Sequence, residues 1–258
     1  VPANPWIFLR GLTRESRHWG GFVEQFQQVF PNQPVVVLDL AGNGLQNHRS
    51  SHSRVEDMVE DCRTQLAQRH IAPPYQVLAM SLGAMVSVAW AQAHPQELTA
   101  QVLINTSLRP YSPFYQRLQP ANYATLLRLL LTNATPEAWE RAILHMTSNS
   151  ASTAALPLWL QLRQQQPVSQ ANALRQLLAA ARFQAPAGSP TVPTLLLASE
   201  HDHLVCAACS RSLAQNWGCP LRLHPSAGHD LPLDDGPWVA AQVRQWLALL
   251  STPAAASP

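Results

Sequence analysis

Lysine is absent from the 258 residues, and all 17 basic side chains are arginine. That excludes a lysine nucleophile or Schiff base. Charge of either sign is scarce: 12% of residues are charged and the formal net charge is +2. With no basic run or basic amphipathic stretch, nothing points to a nucleic-acid partner. Four cysteines, Cys62, Cys206, Cys209 and Cys219, are too few for a disulfide scaffold in a chain of this size. No integral membrane segment is predicted, because a span needs about 20 apolar residues and the longest run, Val77 to Ala93, is broken by Ser81, Gly83 and Ser87. No charged-then-apolar leader precedes the first predicted strand. A cytoplasmic protein is therefore expected, although a start at Val1 without Met leaves a removed leader open.

What is present is a large apolar fraction, 47%, enough for the core of one α/β domain with an insertion. Short apolar runs at Trp6–Leu9, Val35–Leu38, Gln76–Met80, Val102–Ile104, Thr194–Ala198 and Leu221–Leu223 predict strands. The runs are continuous, not alternating, as expected of strands buried on both faces of a parallel sheet. Helical spacing links Val55, Met58, Val59, Cys62 and Leu66, with Ser53 and Glu56 placed as a capping box. A second stripe, Val239, Val243, Trp246, Leu247 and Leu250, follows Pro237, with Asp230, Asp234 and Asp235 placed to shape and cap its start. Strands alternating with helices predict a doubly wound, mostly parallel α/β fold. From 111 to 183 the rhythm changes to helical segments punctuated by proline, which predicts a helical cap inserted in a core formed by 1–110 and 184–250. The small, proline-rich tail 251–258 is expected to be flexible.

The most informative stretch is Tyr75–Met85. A strand runs directly into Ser81 and a helix follows at once. Such a junction forces a sharp turn that lifts a serine hydroxyl above the sheet edge, and the positions two before and two after must be small. They are Ala79 and Gly83. The following helix aims its N-terminal N–H groups at the site. The competing reading is a serine that merely caps a buried helix. The surrounding pattern favours chemistry. His229 follows the last predicted strand, and Gly228 before it lets the loop bend tightly. Asp202 follows the strand Thr194–Ala198, so its carboxylate lies on the same sheet edge as Ser81. The order Ser81, Asp202, His229 is the order of nucleophile, acid and base on this kind of sheet. Asp39 is the rival acid at a strand end; its glycine-rich turn marks it as structural.

With these elements the chain resembles the α/β-hydrolase superfamily, over most of its length outside the insertion. Phe8-Leu9-Arg10-Gly11-Leu12 resembles the family's His-Gly segment. Asp39-Leu40-Ala41-Gly42-Asn43-Gly44 resembles its Asp-x-x-Gly-x-Gly turn, and His18-Trp19 the pair that often opens its first helix. The usual Gly-x-Ser-x-Gly carries Ala79 in its first position, and Arg10 replaces the usual histidine. The resemblance implies an oxyanion hole of the Leu12 and Leu82 N–H groups and a cap at 111–183. Arg10, Phe114, Trp139 and Trp159 are candidates for substrate contact, although for each aromatic the alternative is cap core.

The expected activity is hydrolysis of small or medium, fairly apolar carboxylic esters through an acyl-enzyme, with a small-molecule partner and neither metal nor organic cofactor. On the same scaffold two other chemistries stay open. One is a carbon–carbon hydrolase or lyase similar to the menaquinone-pathway synthase, for which Arg10, Arg14 and Arg128 could bind an anion. The other is perhydrolysis of the cofactor-free haloperoxidase type. Epoxide hydrolases and haloalkane dehalogenases use an aspartate where Ser81 stands. A non-catalytic receptor on this fold often lacks a triad member, and here all three residues are present. Cys206 and Cys209, with Cys219 and His224 beyond, are read as packing thiols, since no second ligand pair completes a zinc site. His201 and His203 are read as exposed loop residues.

Overall fold

The computed structural model describes residues 4–132, 134–150 and 154–251. Six strands form one sheet: β1 (Trp6–Leu9), β2 (Val35–Leu38), β3 (Tyr75–Met80), β4 (Leu98–Ile104), β5 (Thr194–Ser199) and β6 (Leu221–His224). Their order is β2-β1-β3-β4-β5-β6, and every neighbouring pair is parallel. All residues of β1, β3 and β5 are buried, which explains why their sequences read as unbroken apolar runs. β4 begins at Leu98, earlier than the run Val102–Ile104 predicts, because Gln101 interrupts the apolar pattern. That buried amide is satisfied: its oxygen accepts from Ser87 Oγ at 2.8 Å and its nitrogen donates to Thr194 Oγ1 at 2.9 Å.

Successive strand residues face opposite sides of the sheet. Trp6 and Phe8 join Phe22 and Phe26 of α1 (Phe22–Val29) and Val239, Val243 and Trp246 of α10 (Leu231–Ser251). Ile7 and Leu9 face α2 (Val55–Gln68) and α3 (Leu82–Ala93), in a cluster that also takes Leu213 and Trp217 of α9 (Ala208–Trp217). Helices thus cover both faces of the sheet, the doubly wound arrangement. His18 and Trp19, expected to open a helix, lie instead in a 3-10 turn, Ser16–Trp19, and α1 starts only at Phe22.

One capping expectation needs correction, and a second holds in part. The N-cap of α2 is Arg54, with no side-chain cap bond. Starting there puts Glu56 in the first turn, where it meets the positive end of the helix and cannot close a box with Ser53. In α10 the helix kinks at Asp235, whose carboxylate accepts from Trp238 N at 3.0 Å and caps the part after Pro237. The Asp230 carbonyl accepts from Leu233 N and Asp234 N, both at 3.0 Å, at the start of α10, while the Asp230 and Asp234 side chains are engaged elsewhere, as described below.

Between β4 and β5 lie α4 (Phe114–Arg117), α5 (Tyr123–Leu131), α6 (Pro136–Thr147), α7 (Ala155–Gln165) and α8 (Gln170–Arg182). The chain leaves and returns at one place, where Arg109 pairs with Gln184 and Ala185 N donates to Arg109 O at 2.7 Å. Leu144, Leu156 and Trp159 form a small separate core within the segment. α10 carries the chain to Ser251; the rest of the predicted flexible tail, 252–258, lies outside the described residues. Among the described residues no helix is long and apolar enough to cross a membrane.

Candidate active site

The C-terminal ends of β1, β3, β4 and β5, and the loop after β6, converge at one edge of the sheet. β3 runs directly into Ser81, whose backbone stands at φ +52° and ψ −117°. A β-carbon makes this conformation unfavourable. It is held from both sides: Ser81 N donates to Ile104 O of β4 at 3.0 Å, and Ser81 O accepts from Ala84 N at 3.1 Å, inside the first turn of α3. The need for small neighbours is steric. A β-carbon on Gly83 would stand 2.6 Å from the carbonyl oxygens of both Leu9 and Arg10. Gly11 also passes close to the serine: a β-carbon there would lie 3.1 Å from Ser81 Cβ and 3.5 Å from its Oγ. The Leu12 and Leu82 N–H groups, either side of this contact, carry no described hydrogen bond.

His229 and Asp202 meet through Nδ1 and Oδ2 at 2.7 Å, both almost completely buried. The other carboxylate oxygen accepts from Leu204 N at 2.8 Å and Val205 N at 2.9 Å. With both oxygens occupied the carboxylate is fixed in orientation, and it fixes the imidazole in turn. His201 and His203, on either side of Asp202, are exposed as expected.

Asn105, which sequence reasoning missed, ties the acid and histidine loops together. It is buried at the end of β4 with φ +45°, a conformation asparagine tolerates better than most side chains. Its Nδ2 donates to His229 O at 2.8 Å, and its Oδ1 accepts from Ser199 N at 2.9 Å, at the end of β5. The end of α6 and the residues after it brace the histidine loop. Thr147 O accepts from Asp230 N at 2.6 Å, and Asp234 accepts from Gly228 N at 2.7 Å and Asn149 N at 2.9 Å. A β-carbon on Gly228 would come within 2.7 Å of Thr147 O, so this glycine serves a close approach.

Arg10 is 3% exposed and gives its two terminal nitrogens to Asp230, at 3.1 and 2.5 Å. Its guanidinium lies over Trp19, 4.7 Å from the ring centroid. The expectation of Arg10 as a substrate contact is therefore corrected: its charge is consumed inside the protein, where it secures the loop after β1 to the residue following His229. Arg14 is likewise buried, bonded to Glu140 of α6 at 2.7 Å and stacked on Trp159 of α7 at 4.1 Å. Beside it, burial and then the Arg14 and Arg10 charges push the His18 pKa well below its ordinary 6.5, so this ring is neutral near pH 7. The three aromatic candidates have different surroundings. Phe114 is 74% exposed, Trp139 is half-buried, and Trp159 is buried beneath Arg14.

Asp39 accepts from Ser16 N at 2.6 Å and Leu45 N at 3.0 Å, the structural role its turn predicts. Gln176 of α8, also missed, accepts from Thr13 N at 2.8 Å and so holds the loop that contains Leu12. A single glutamine on a helix offers no signal for such a contact. Among the described residues no cluster of three or more His, Cys, Asp or Glu could hold a metal ion. Cys209 is buried with its pKa raised to about 11 by burial, and Cys206 is half-buried. Two surface cavities, of about 270 and 440 Å³, open by Thr194 and Pro220 and by Tyr75 and Glu97. Both lie at the opposite, N-terminal sheet edge, and neither touches Ser81, Asp202 or His229.

A family model described as serine aminopeptidase, S33, matches residues 6–236. The chain belongs to this α/β-hydrolase family. No curated protein matches its sequence significantly. Solved structures resemble this hydrolase over nearly its whole length. A thermophilic esterase from Thermogutta terrifontis is 19% identical with a TM-score of 0.73, covering 97% of this chain and 91% of its own. MGS-M2, an α/β-hydrolase enzyme from a Medee basin deep-sea metagenome library, is 18% identical with a TM-score of 0.71, covering 100% and 93%. The candidate non-haem bromoperoxidase BpoC from Mycobacterium tuberculosis is 19% identical with a TM-score of 0.73, covering 97% and 94%. At these identities the likeness establishes the shared fold.

Proposed function

We propose that this hydrolase cleaves carboxylic esters of small to medium, fairly apolar acids, with Ser81 as nucleophile, His229 as general base and Asp202 as the group that orients it. The observation that carries the reading is the placement of a strained serine on the same sheet edge as a buried His–Asp pair. His229 takes the Ser81 proton through Nε2 as Oγ attacks the acyl carbonyl. Asp202 keeps the remaining proton on Nδ1 and stabilises the imidazolium. The Leu12 and Leu82 N–H groups receive the oxyanion; one such donor is worth roughly 3 kcal/mol in the transition state. The alcohol leaves with the proton from His229. Water, deprotonated by the same ring, then releases the acid and restores Ser81.

In this reading residues 111–183 form a cap on the core 1–110 and 184–250, resting on the loop after β1 through Arg14 and on the histidine loop through Thr147 and Asn149. Of the three arginines that could serve a carbon–carbon hydrolase in binding an anionic substrate, Arg10 is paired one-to-one with Asp230, and Arg14 shares Glu140 with Arg163. The loss of the Arg10 charge to Asp230 favours an uncharged ester. The test is a series of p-nitrophenyl esters of increasing acyl length, offered to the purified chain with EDTA present. Turnover that falls off beyond a medium acyl length is expected. A folded protein that turns over none of them overturns the proposal.

A further inference from the structure

Helix α8 is amphipathic in the reverse sense. A surface helix normally turns its apolar stripe to the core and its polar side to water. Here the inward residues include Asn172 and Gln176, both buried. Asn172 donates to Arg49 O at 2.9 Å and accepts from Ser51 N at 2.9 Å; Gln176 bonds Asn43, Ser51 and Thr13. The outward residues are Leu174, Leu177 and Leu178, exposed by 66%, 51% and 36%. At about 100° per residue they lie opposite the buried amides, with Arg175 and Arg182 together along one edge. The whole segment shares this character. Of the twelve large apolar side chains exposed among the described residues, nine fall between Phe114 and Leu178.

Charge accompanies the apolar exposure. Residues 111–183 contain six arginines and two acidic residues, Glu137 and Glu140. Glu140 is taken by Arg14 and Arg163, and Glu137 by Arg141. Arg128, Arg175 and Arg182 stand exposed with no carboxylate partner among the described residues. A leucine face edged by unpaired arginines has the composition of a helix that lies in a lipid interface.

We propose that the outward face of α8 docks on the surface of an anionic lipid bilayer, with Leu174, Leu177 and Leu178 at the headgroup–acyl boundary and Arg175 and Arg182 on lipid phosphates. A second copy of the chain fits less well. Three leucines fall far short of the roughly 1,200 Å² that a stable interface buries, and an antiparallel two-fold contact of the two helices would set their arginine edges side by side. The inference does not rest on the ester-hydrolase reading.

Co-sedimentation of the full chain with vesicles tests it, using phosphatidylcholine alone and phosphatidylcholine mixed with phosphatidylglycerol. Wild type and the Ser81→Ala variant are both run, so that an error in the catalytic assignment leaves the result readable. The protein is expected to pellet with the phosphatidylglycerol vesicles and not with phosphatidylcholine alone. The pair Arg175→Glu and Arg182→Glu is expected to weaken binding about tenfold or more. So is the triple set Leu174→Gln, Leu177→Gln and Leu178→Gln. The arginine pair lies on exposed surface and carries the test if the leucine set fails to fold. No pelleting, equal pelleting with both lipids, or a folded arginine pair that binds as wild type overturns the proposal. So does a dimer in sedimentation velocity that the leucine set dissociates.

Discussion

The Oδ2 atom of Asp202 lies 2.7 Å from Nδ1 of His229, while Oδ1 of the same carboxylate receives two backbone N–H groups. An Asp202→Asn side chain must present either its NH₂ or its oxygen to the ring. The NH₂ would force the proton onto Nε2, the nitrogen that accepts from Ser81 in the proposed mechanism. The expected loss in kcat is about 10⁴-fold, as for the equivalent change in a serine protease. Asp39→Asn should leave kcat within about threefold and appear instead in stability, because among the described residues that carboxylate bonds Ser16 N and Leu45 N and neither of the two other triad candidates. Turnover of p-nitrophenyl acetate by both folded variants decides it; an inactive Asp39→Asn beside a normal Asp202→Asn would reverse the assignment of the acid.

Ser81 sits at φ +52°, where glycine is at ease and serine is not. Replacing it with glycine should abolish ester turnover and raise stability by about 1 kcal/mol. Ser81→Ala should be equally inactive without that gain, since alanine keeps the β-carbon. Thermal melts of the two variants, run beside wild type, distinguish strain held at Ser81 from simple loss of a hydroxyl. Equal melting of the glycine and alanine variants would count against strain.

What was legible from sequence was whatever depended on local pattern. β1 and β2 fall on the residues their apolar runs predict, and Ser81, Asp202 and His229 come to one sheet edge because each follows a parallel strand. What was not legible depended on partners far away in the chain. Arg10 looked like a charge offered to substrate because nothing in its neighbourhood reveals Asp230, 220 positions later. Asn105 gave no signal at all: a single polar residue after a strand reads as a loop residue until β5 and the histidine loop are folded onto it. The α2 cap differs by a single position: the helix starts at Val55, which leaves Arg54, a residue with no capping preference and no cap bond, at the N-cap and Ser53 one residue outside.

Burial sets the pKa of His18 well below 6.5, with the Arg14 and Arg10 charges acting in the same direction. Unfolding releases the ring to its ordinary value, so the unfolded chain binds a proton that the folded chain refuses. Stability is therefore complete above pH 6.5 and falls as pH drops below it, by up to about 1.4 kcal/mol per pH unit, until the folded-state pKa is reached. In His18→Gln this contribution vanishes. Urea unfolding of both proteins between pH 7.5 and 5, about the range in which histidine titrates, should show a shallower decline for the variant. Parallel curves would mean that His18 is protonated as readily in the folded chain as in the unfolded one.

Asn105 offers a test of how the histidine is held. It joins the end of β5, through Ser199 N, to the carbonyl of His229, and it does so from a backbone at φ +45°. Asn105→Gly keeps the backbone relaxed and removes both of these bonds, together with the longer ones to Ser199 Oγ at 3.2 Å and Gly228 O at 3.3 Å. Asn105→Ala removes the same bonds and adds a β-carbon to a left-handed residue, at a further cost of about 1 kcal/mol. Stability should thus fall in the order wild type, glycine, alanine. Activity should follow a different order. If the amide acts by fixing the His229 loop, both variants lose the same bonds, so both should show the same fall in kcat, about tenfold or more for a ring displaced by a fraction of an ångström. KM should change little, because the Asn105 side chain is buried and its hydrogen bonds are spent on Ser199, Gly228 and His229. Steady-state kinetics on one soluble ester, well below either melting temperature, separates the two effects. A kcat that tracks stability through all three proteins would make Asn105 a structural residue only, and a KM that rises with kcat unchanged would place it in the substrate pocket.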